Sequence, residues 1–226
     1  MPPEQKRVLW VLVGAFGILA SVYTWGLGYD AFSRFRIGID TTLPTEQAPT
    51  PTLPPPLPSD PSRGASPLDA TVTITTFASY DCPSCRSNEL ILNRALTNTS
   101  AKVRLIWKDL PDASERPESM IAVLASRCAA DQGLYWPMHD ALLTLPSLDM
   151  DSISAAARAA HINKQPFDTC LVGNKHLPEV QQELETAKQH NIVTTPTTFV
   201  GNNVFTGPLN ERDLTLAFLR ASLLKK

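Results

Sequence analysis

"TVTITTFASYDCPSCRSNELILNRAL", residues 71–96, changes its period halfway along. Residues 71–78 are rich in β-branched side chains and alternate in polarity, which reads as a strand. Residues 83–97 have helical spacing and predict an amphipathic helix with Leu90, Ile91, Leu92 and Ala95 inward. Between the two lies Cys82-Pro83-Ser84-Cys85. Proline is favoured at the first helical position, where its missing N–H would lack a partner anyway. Cys82 is therefore expected to be the N-cap, with the N–H groups of Ser84 and Cys85 pointing at its sulfur. Helix N-termini stabilise anions, and the thiolate is the nucleophilic form of cysteine. Cys85, one turn in, is expected to be more buried and placed to attack a mixed disulfide on Cys82.

Three chemistries compete for this motif. A zinc site needs further ligands at closed tetrahedral spacing. There is no second C-x-x-C, and Cys128, Cys170, His139, His161, His176 and His190 are scattered singly. A static disulfide across so short a loop gains little chain entropy. The spacing suits a dithiol that closes and reopens, with no metal and no cofactor. Cys82 and Cys85 are thus the expected catalytic pair, with Pro83 and Ser84 modulating it. Asp81 directly precedes Cys82, and its negative charge opposes a depressed thiolate pKa.

Outward from the motif, residues 102–110, "KVRLIWKDL", predict a second strand, buried on both faces around Leu105–Trp107. Residues 117–190 carry helical pieces and no strand signal, so an insertion is expected at about 113–190. Asp149 or Asp151 is a candidate cap for one of its helices. Strand character returns in "PTTFVGNNVF", 196–205, with a hairpin turn expected at Asn202-Asn203. Residues 210–224 close the chain as an amphipathic helix. This order implies an α/β domain over residues 70–226, with a βαβ unit and a hairpin extending the sheet antiparallel.

The N-terminal third reads differently. Residues 8–28 form an uncharged apolar run of 21 residues, enough to span a bilayer core as a helix. It is expected to be a single-pass anchor, with residues 1–7 cytoplasmic and the C-terminal domain outside; the alternative is a cleaved signal. Residues 29–69 are expected to be a linker. Residues 41–69 of it are proline-rich and without apolar periodicity, suited to a stiff polyproline II spacer. The net charge of −2 offers no electrostatic footprint for nucleic acid. Cys128 and Cys170 complete an even cysteine count in an exported chain and are expected to form a second, structural disulfide; the alternative is two buried free thiols.

Taken together, "FASYDCPSC" (77–85), "WKDLP" (107–111), "ASRCAADQGLYWPMHDAL" (125–142), "FDTCL" (167–171) and "TTPTTFVGNNVFTG" (194–207) resemble the DsbA-like thiol:disulfide oxidoreductases of the thioredoxin superfamily, in their membrane-anchored bacterial form. The resemblance covers nearly all of residues 70–224. It implies a thioredoxin fold interrupted by a helical insertion. It also implies a cis bond at Thr195-Pro196 beside the dithiol, leaving the Thr195 backbone open to an incoming peptide. Glu89, four residues after Cys85, is implied as a buried acid shuttling protons for Cys85; the alternative is a solvated position. Lys108 is a candidate partner for Glu89 across the strand. The remaining histidines, His139 among them, are expected at the surface or at helix ends, and Trp136 in the packing of the insertion.

The activity so implied is oxidation of cysteine pairs in exported proteins, with electrons passing to a membrane partner of the DsbB or VKOR type. Two alternatives stay open at the level of sequence: a membrane-tethered reductase, and a non-catalytic module that binds peptides in the groove at Pro196.

Overall fold

The structure, a computed structural model, describes residues 50–99, 101–112, 114 and 116–224. The apolar run 8–28 and residues 41–49 of the proline tract lie outside the described residues. Among the described residues, no helix is long and apolar enough to cross a membrane.

The elements follow in the order β1 (Ser62–Gly64), β2 (Val72–Ala78), α1 (Pro83–Asn98), β3 (Val103–Asp109), α2 (Pro117–Ala130), α3 (Tyr135–Thr144), α4 (Met150–Ala159), α5 (Lys164–Val172), α6 (Leu177–Gln189), β4 (Thr197–Val200), β5 (Asn203–Thr206) and α7 (Glu211–Leu224). The five strands make one mixed sheet in the order β1-β3-β2-β4-β5. β2 and β3 are parallel, joined by α1 as a βαβ unit. β4 lies antiparallel on the other side of β2, with Phe77 opposite Thr197 and Ile74 opposite Val200, and β5 extends the sheet by a hairpin. The turn falls at Gly201-Asn202, one residue earlier than expected, because Gly201 takes up the positive φ of 56° that glycine tolerates best.

Side chains alternate across the strands, so each face has its own core. Val72, Ile74, Leu105 and Val200 pack with Leu92 of α1 and Leu214 and Ala217 of α7. Phe77 and Phe199 pack with Ala187 of α6 and Ile192. The five helices of the insertion bury a third, larger core that includes Met138, Leu142, Ile153, Phe167 and Val180. Asp149 caps α4, its Oδ1 accepting the N–H of Ser152 at 2.8 Å. The Ser147 hydroxyl and the Ser152 amide hold its carboxyl down at about 2.

Two further expectations need correction. The linker does not run to residue 69. Residues 62–64 form the edge strand β1, antiparallel to β3. The Leu57 N–H and the buried Lys108 ammonium both reach the Asp60 carboxylate, at 2.7 and 2.6 Å, and Arg127 reaches the Ser59 carbonyl at 3.3 Å. Buried polar partners, rather than apolar periodicity, hold this stretch down. Gly64 ends β1 at φ +90°, so close to β3 that a Cβ would stand 2.3 Å from the Val103 carbonyl oxygen. The second correction concerns the facing of α1. Leu90 is exposed, whereas Cys85, Asn88, Glu89 and Leu92 point inward. The polar members of that face find partners inside, which a hydropathy pattern cannot register.

Candidate active site

Cys82 caps α1, with Pro83 as the first helical residue. The Cys85 N–H donates to Cys82 Sγ at 3.1 Å, and the Ser84 hydroxyl lies 3.4 Å from the same sulfur. The cap places Cys82 Sγ where the unpaired N–H groups of a helix start converge, the environment that favours a thiolate. Cys82 and Cys85 are joined as a disulfide, their Cα atoms 5.2 Å apart. Both are buried, unequally: Cys82 retains 7% of its accessible surface and Cys85 1%. A nucleophile therefore meets Cys82 first.

The loop leading to Cys82 is built by its neighbours. Arg86 donates to the Tyr80 carbonyl at 3.3–3.4 Å. Asp81 accepts from the Ser79 hydroxyl and pairs with Arg116, Nε to Oδ2 2.9 Å. Its charge is thus balanced by a cation from the approach to α2, which weakens the opposition to a Cys82 thiolate that the sequence alone suggests. Asn88 Oδ1 accepts the Leu209 N–H at 2.8 Å, pinning α1 to the loop that precedes α7.

The Thr195-Pro196 bond is cis. Because β4 runs antiparallel to β2 and starts opposite Phe77, Thr195-Pro196 and the Cys82 loop leave the sheet at the same end. Pro196 is buried and Thr195 half-buried. The Pro196 carbonyl accepts from the Gly207 N–H at 2.8 Å.

Glu89 is buried below the dithiol, one turn beyond Cys85. Lys108 is not its partner: the lysine pairs with Asp60 instead. Glu89 Oε1 accepts from Arg63, delivered by β1, and lies 3.6 Å from His139 Nε2. His139 is also not where it was expected. It is fully buried, boxed by the rings of Tyr80, Trp107, Tyr135 and Trp136 at centroid distances of 4.4–5.7 Å. Its Nδ1 shares a hydrogen bond with the Tyr80 hydroxyl at 3.0 Å. Burial, with the Asp109 carboxylate nearby, raises both the Tyr80 and Tyr135 phenols above the ordinary tyrosine range, so both are neutral hydroxyls. Trp136 packs within the insertion's aromatic group and reaches β1, its Nε1–H donating to the Ser62 carbonyl at 3.1 Å. Arg63 and His139 are the residues that sequence reasoning missed. The cluster "YWPMH" at 135–139, with two aromatics and a histidine at helical spacing, was the signal for the second.

Farther from the cysteines, Arg127 clamps the insertion to the sheet. Its Nη2 donates to Asp109 Oδ2 at 2.6 Å and to Glu183 Oε2 at 2.8 Å. The neighbouring residue Cys128 is joined to Cys170, with Cα atoms 5.8 Å apart. Burial pushes the Glu183 carboxyl up to about 7; Arg127 opposes the shift and Asp109 adds to it. Cys128, Cys170 and His176 come close together, as do Glu89, His139 and Asp140. Neither group fits a metal: the first offers sulfurs already bonded to each other, and in the second Arg63 occupies the carboxylates.

The chain resembles proteins that share this plan. The thioredoxin-like oxidoreductase of Silicibacter pomeroyi superposes with a TM-score of 0.65 at 23% identity, over 73% of this chain and 92% of that one. The thiol-disulfide exchange protein alpha-DsbA2 of Wolbachia pipientis gives 0.63 at 18% identity, over 72% and 87%. In sequence, the chain is 29% identical over 168 residues to the Na(+)/H(+) antiporter NhaA 3 of Salinispora tropica, a match that covers 73% of this chain and 26% of the antiporter. The chain thus spans about a quarter of the length of that curated relative. A family model described as Thioredoxin matches residues 58–218, from just before β1 into α7. The match takes in the mixed sheet, the Cys82–Cys85 pair at the head of α1 and the cis proline opposite the end of β2, and on that ground the chain belongs to the thioredoxin family.

Proposed function

We propose that the protein is a thiol:disulfide oxidoreductase that oxidises cysteine pairs in extracytoplasmic proteins through Cys82 and Cys85. The observation that carries this reading is the capped sulfur: Cys82 Sγ accepts the Cys85 N–H at the start of α1 while Cys85 lies deeper beneath it. A substrate thiolate attacks Cys82 Sγ. The Cys82–Cys85 bond breaks, and Cys85 leaves as a thiolate that takes up a proton. The substrate's second thiolate then attacks its own sulfur in the mixed disulfide, and Cys82 leaves as a thiolate held by the helix start. Two electrons pass from the substrate dithiol to the protein.

The position of Thr195 beside Pro196 supports a docking role, its backbone pairing with the incoming peptide like an added strand. The placement of Glu89 one turn below Cys85 supports proton transfer to and from that thiol. The apolar run 8–28 supports a membrane anchor with the domain extracytoplasmic and a membrane redox partner of the DsbB or VKOR type.

The test is stoichiometric. A reduced peptide with two cysteines, mixed with the oxidised full chain, becomes oxidised mole for mole as the Cys82–Cys85 bond opens, and Cys82→Ala removes the reaction. Equilibration against glutathione gives the direction: a pair far more reducing than glutathione makes the protein a reductase. A Cys82→Ser variant with full biological activity makes it a binding module. Alkaline carbonate washing leaves an anchored chain in membranes and releases one whose apolar run has been cleaved.

A further inference from the structure

The carboxylate behind the dithiol is held by a residue from outside both the helix that carries it and the insertion. Glu89 lies one turn beyond Cys85, so the two share a face of α1. Its Oε1 accepts from Arg63 Nη2, whereas its Oε2 is buried without a hydrogen-bond partner among the described residues. Arg63 belongs to the edge strand β1. Its guanidinium also donates to Asn93 Oδ1 at 2.5 Å and to Asp140 Oδ1 at 3.1 Å, and lies 4.2 Å from the Trp136 ring centroid. A planar fork held by three acceptors and a ring face has little freedom left. The titratable and charged groups around Glu89 are Arg63 from β1, His139 and Asp140 from α3, and, through His139, the hydroxyls of Tyr80 and Tyr135.

We propose that Arg63 is a positioning residue for Glu89. By tying Oε1 it fixes the carboxylate so that Oε2 serves the Cys85 thiol, and the edge strand β1 thereby takes part in the thiol chemistry. This rests on the exchange reading above. In the step concerned, the Cys85 thiol gives its proton to Glu89, and the resulting thiolate attacks Cys82 Sγ in a mixed disulfide. The Cys82–Cys85 bond forms, and the bound thiol leaves as a thiolate with the electron pair.

The test uses the full chain carrying a Cys82–glutathione mixed disulfide, followed by acid quench and mass measurement as glutathione is released. Arg63→Gln slows release about tenfold, a part of what a positioned proton acceptor contributes, while Arg63→Lys keeps the charge and recovers most of the rate. In a Glu89→Gln background Arg63→Gln has no further effect, since coupled residues are not additive. Alkylation of Cys82 in a Cys85→Ser background proceeds at the same rate with and without Arg63. Should Arg63→Gln fail to fold by circular dichroism, the cycle is run with Arg63→Lys, whose smaller slowing must likewise vanish beside Glu89→Gln. Release from Arg63→Gln at the wild-type rate, or equal slowing in the presence and absence of the Glu89 carboxylate, overturns the role of Arg63 alone. A wild-type chain that releases no glutathione overturns the exchange reading and this inference with it.

Discussion

Lys108, in β3, meets Asp60 at 2.6 Å, and neither side chain keeps more than 3% of its accessible surface. The contact is one of charge more than of aligned hydrogen bonding. It joins the start of the fold to β3, and breaking it leaves an ammonium buried without its counter-ion. Removing one partner of such a pair costs about 3–5 kcal/mol. Asp60→Ala is expected to lower unfolding free energy by about that amount in urea titrations. A double variant with Lys108→Met recovers most of it, because no buried charge then remains. A loss below about 1 kcal/mol would place the pair with ordinary surface ion pairs.

The two cysteines of the Cys82–Cys85 pair should behave unequally. Cys82 keeps 7% exposure against 1% for Cys85, so Cys85→Ala is expected to accumulate long-lived mixed disulfides with substrates, and Cys82→Ala none. Non-reducing electrophoresis after acid trapping reads this directly. Adducts that persist on Cys85 in the Cys82→Ala chain would reverse the assignment.

Glu183 gives the fold a pH dependence with a definite sign. Its carboxyl is raised from 4.5 to about 7 in the folded state, chiefly by burial. Between those values the folded chain holds a proton that the unfolded chain has lost. Stability therefore falls as pH rises through this window and levels off above it, with a slope of at most about 1.4 kcal/mol per pH unit from this group. Glu183→Gln is expected to remove that part of the slope. Urea titrations of both chains from about pH 4.5 to about pH 7.5 isolate it as a difference; parallel curves would show that Glu183 does not hold the proton.

The Cys128–Cys170 bond closes a separation of 42 residues, for which loop-closure entropy gives about 4 kcal/mol. Replacing both cysteines by alanine is expected to lower the melting temperature while leaving the alkylation rate of reduced Cys82 unchanged. Arg127, the neighbour of Cys128, still fastens the insertion to Asp109 and Glu183. Altered Cys82 reactivity in that variant would show that the second disulfide communicates with the first.

What could be read from the chain depended on how local the cause was. The capping of α1 by Cys82 needs only Pro83 and the four-residue motif, so the sequence suffices. The strands β2 and β3 announce themselves through β-branched alternation and an apolar run. β1 does not: Ser-Arg-Gly has no strand pattern, and its place is decided by the open flank of β3 and by Asp60, Arg63 and Ser62 finding partners far along the chain. The facing of α1 departs from its hydropathy pattern at Leu90 because Asn88 and Glu89 bury polar atoms against Leu209 and Arg63. His139 looked ordinary because its aromatic surroundings come from three separate stretches. The bond between Cys128 and Cys170 followed from an even count, but its position beside the Arg127 clamp did not.

The two outer strands of the sheet are short: β1 has three residues and β5 four, against seven in each of β2 and β3. An outer strand offers unpaired N–H and carbonyl groups to any extended chain that drifts past, and long flat ones seed aggregation. A protein whose proposed work is to meet unfinished polypeptides would be the first casualty of such recruitment. On that proposal, a client held at the Thr195 backbone for the time of one thiol exchange meets, among the described residues, only short ladders at the margins of the sheet.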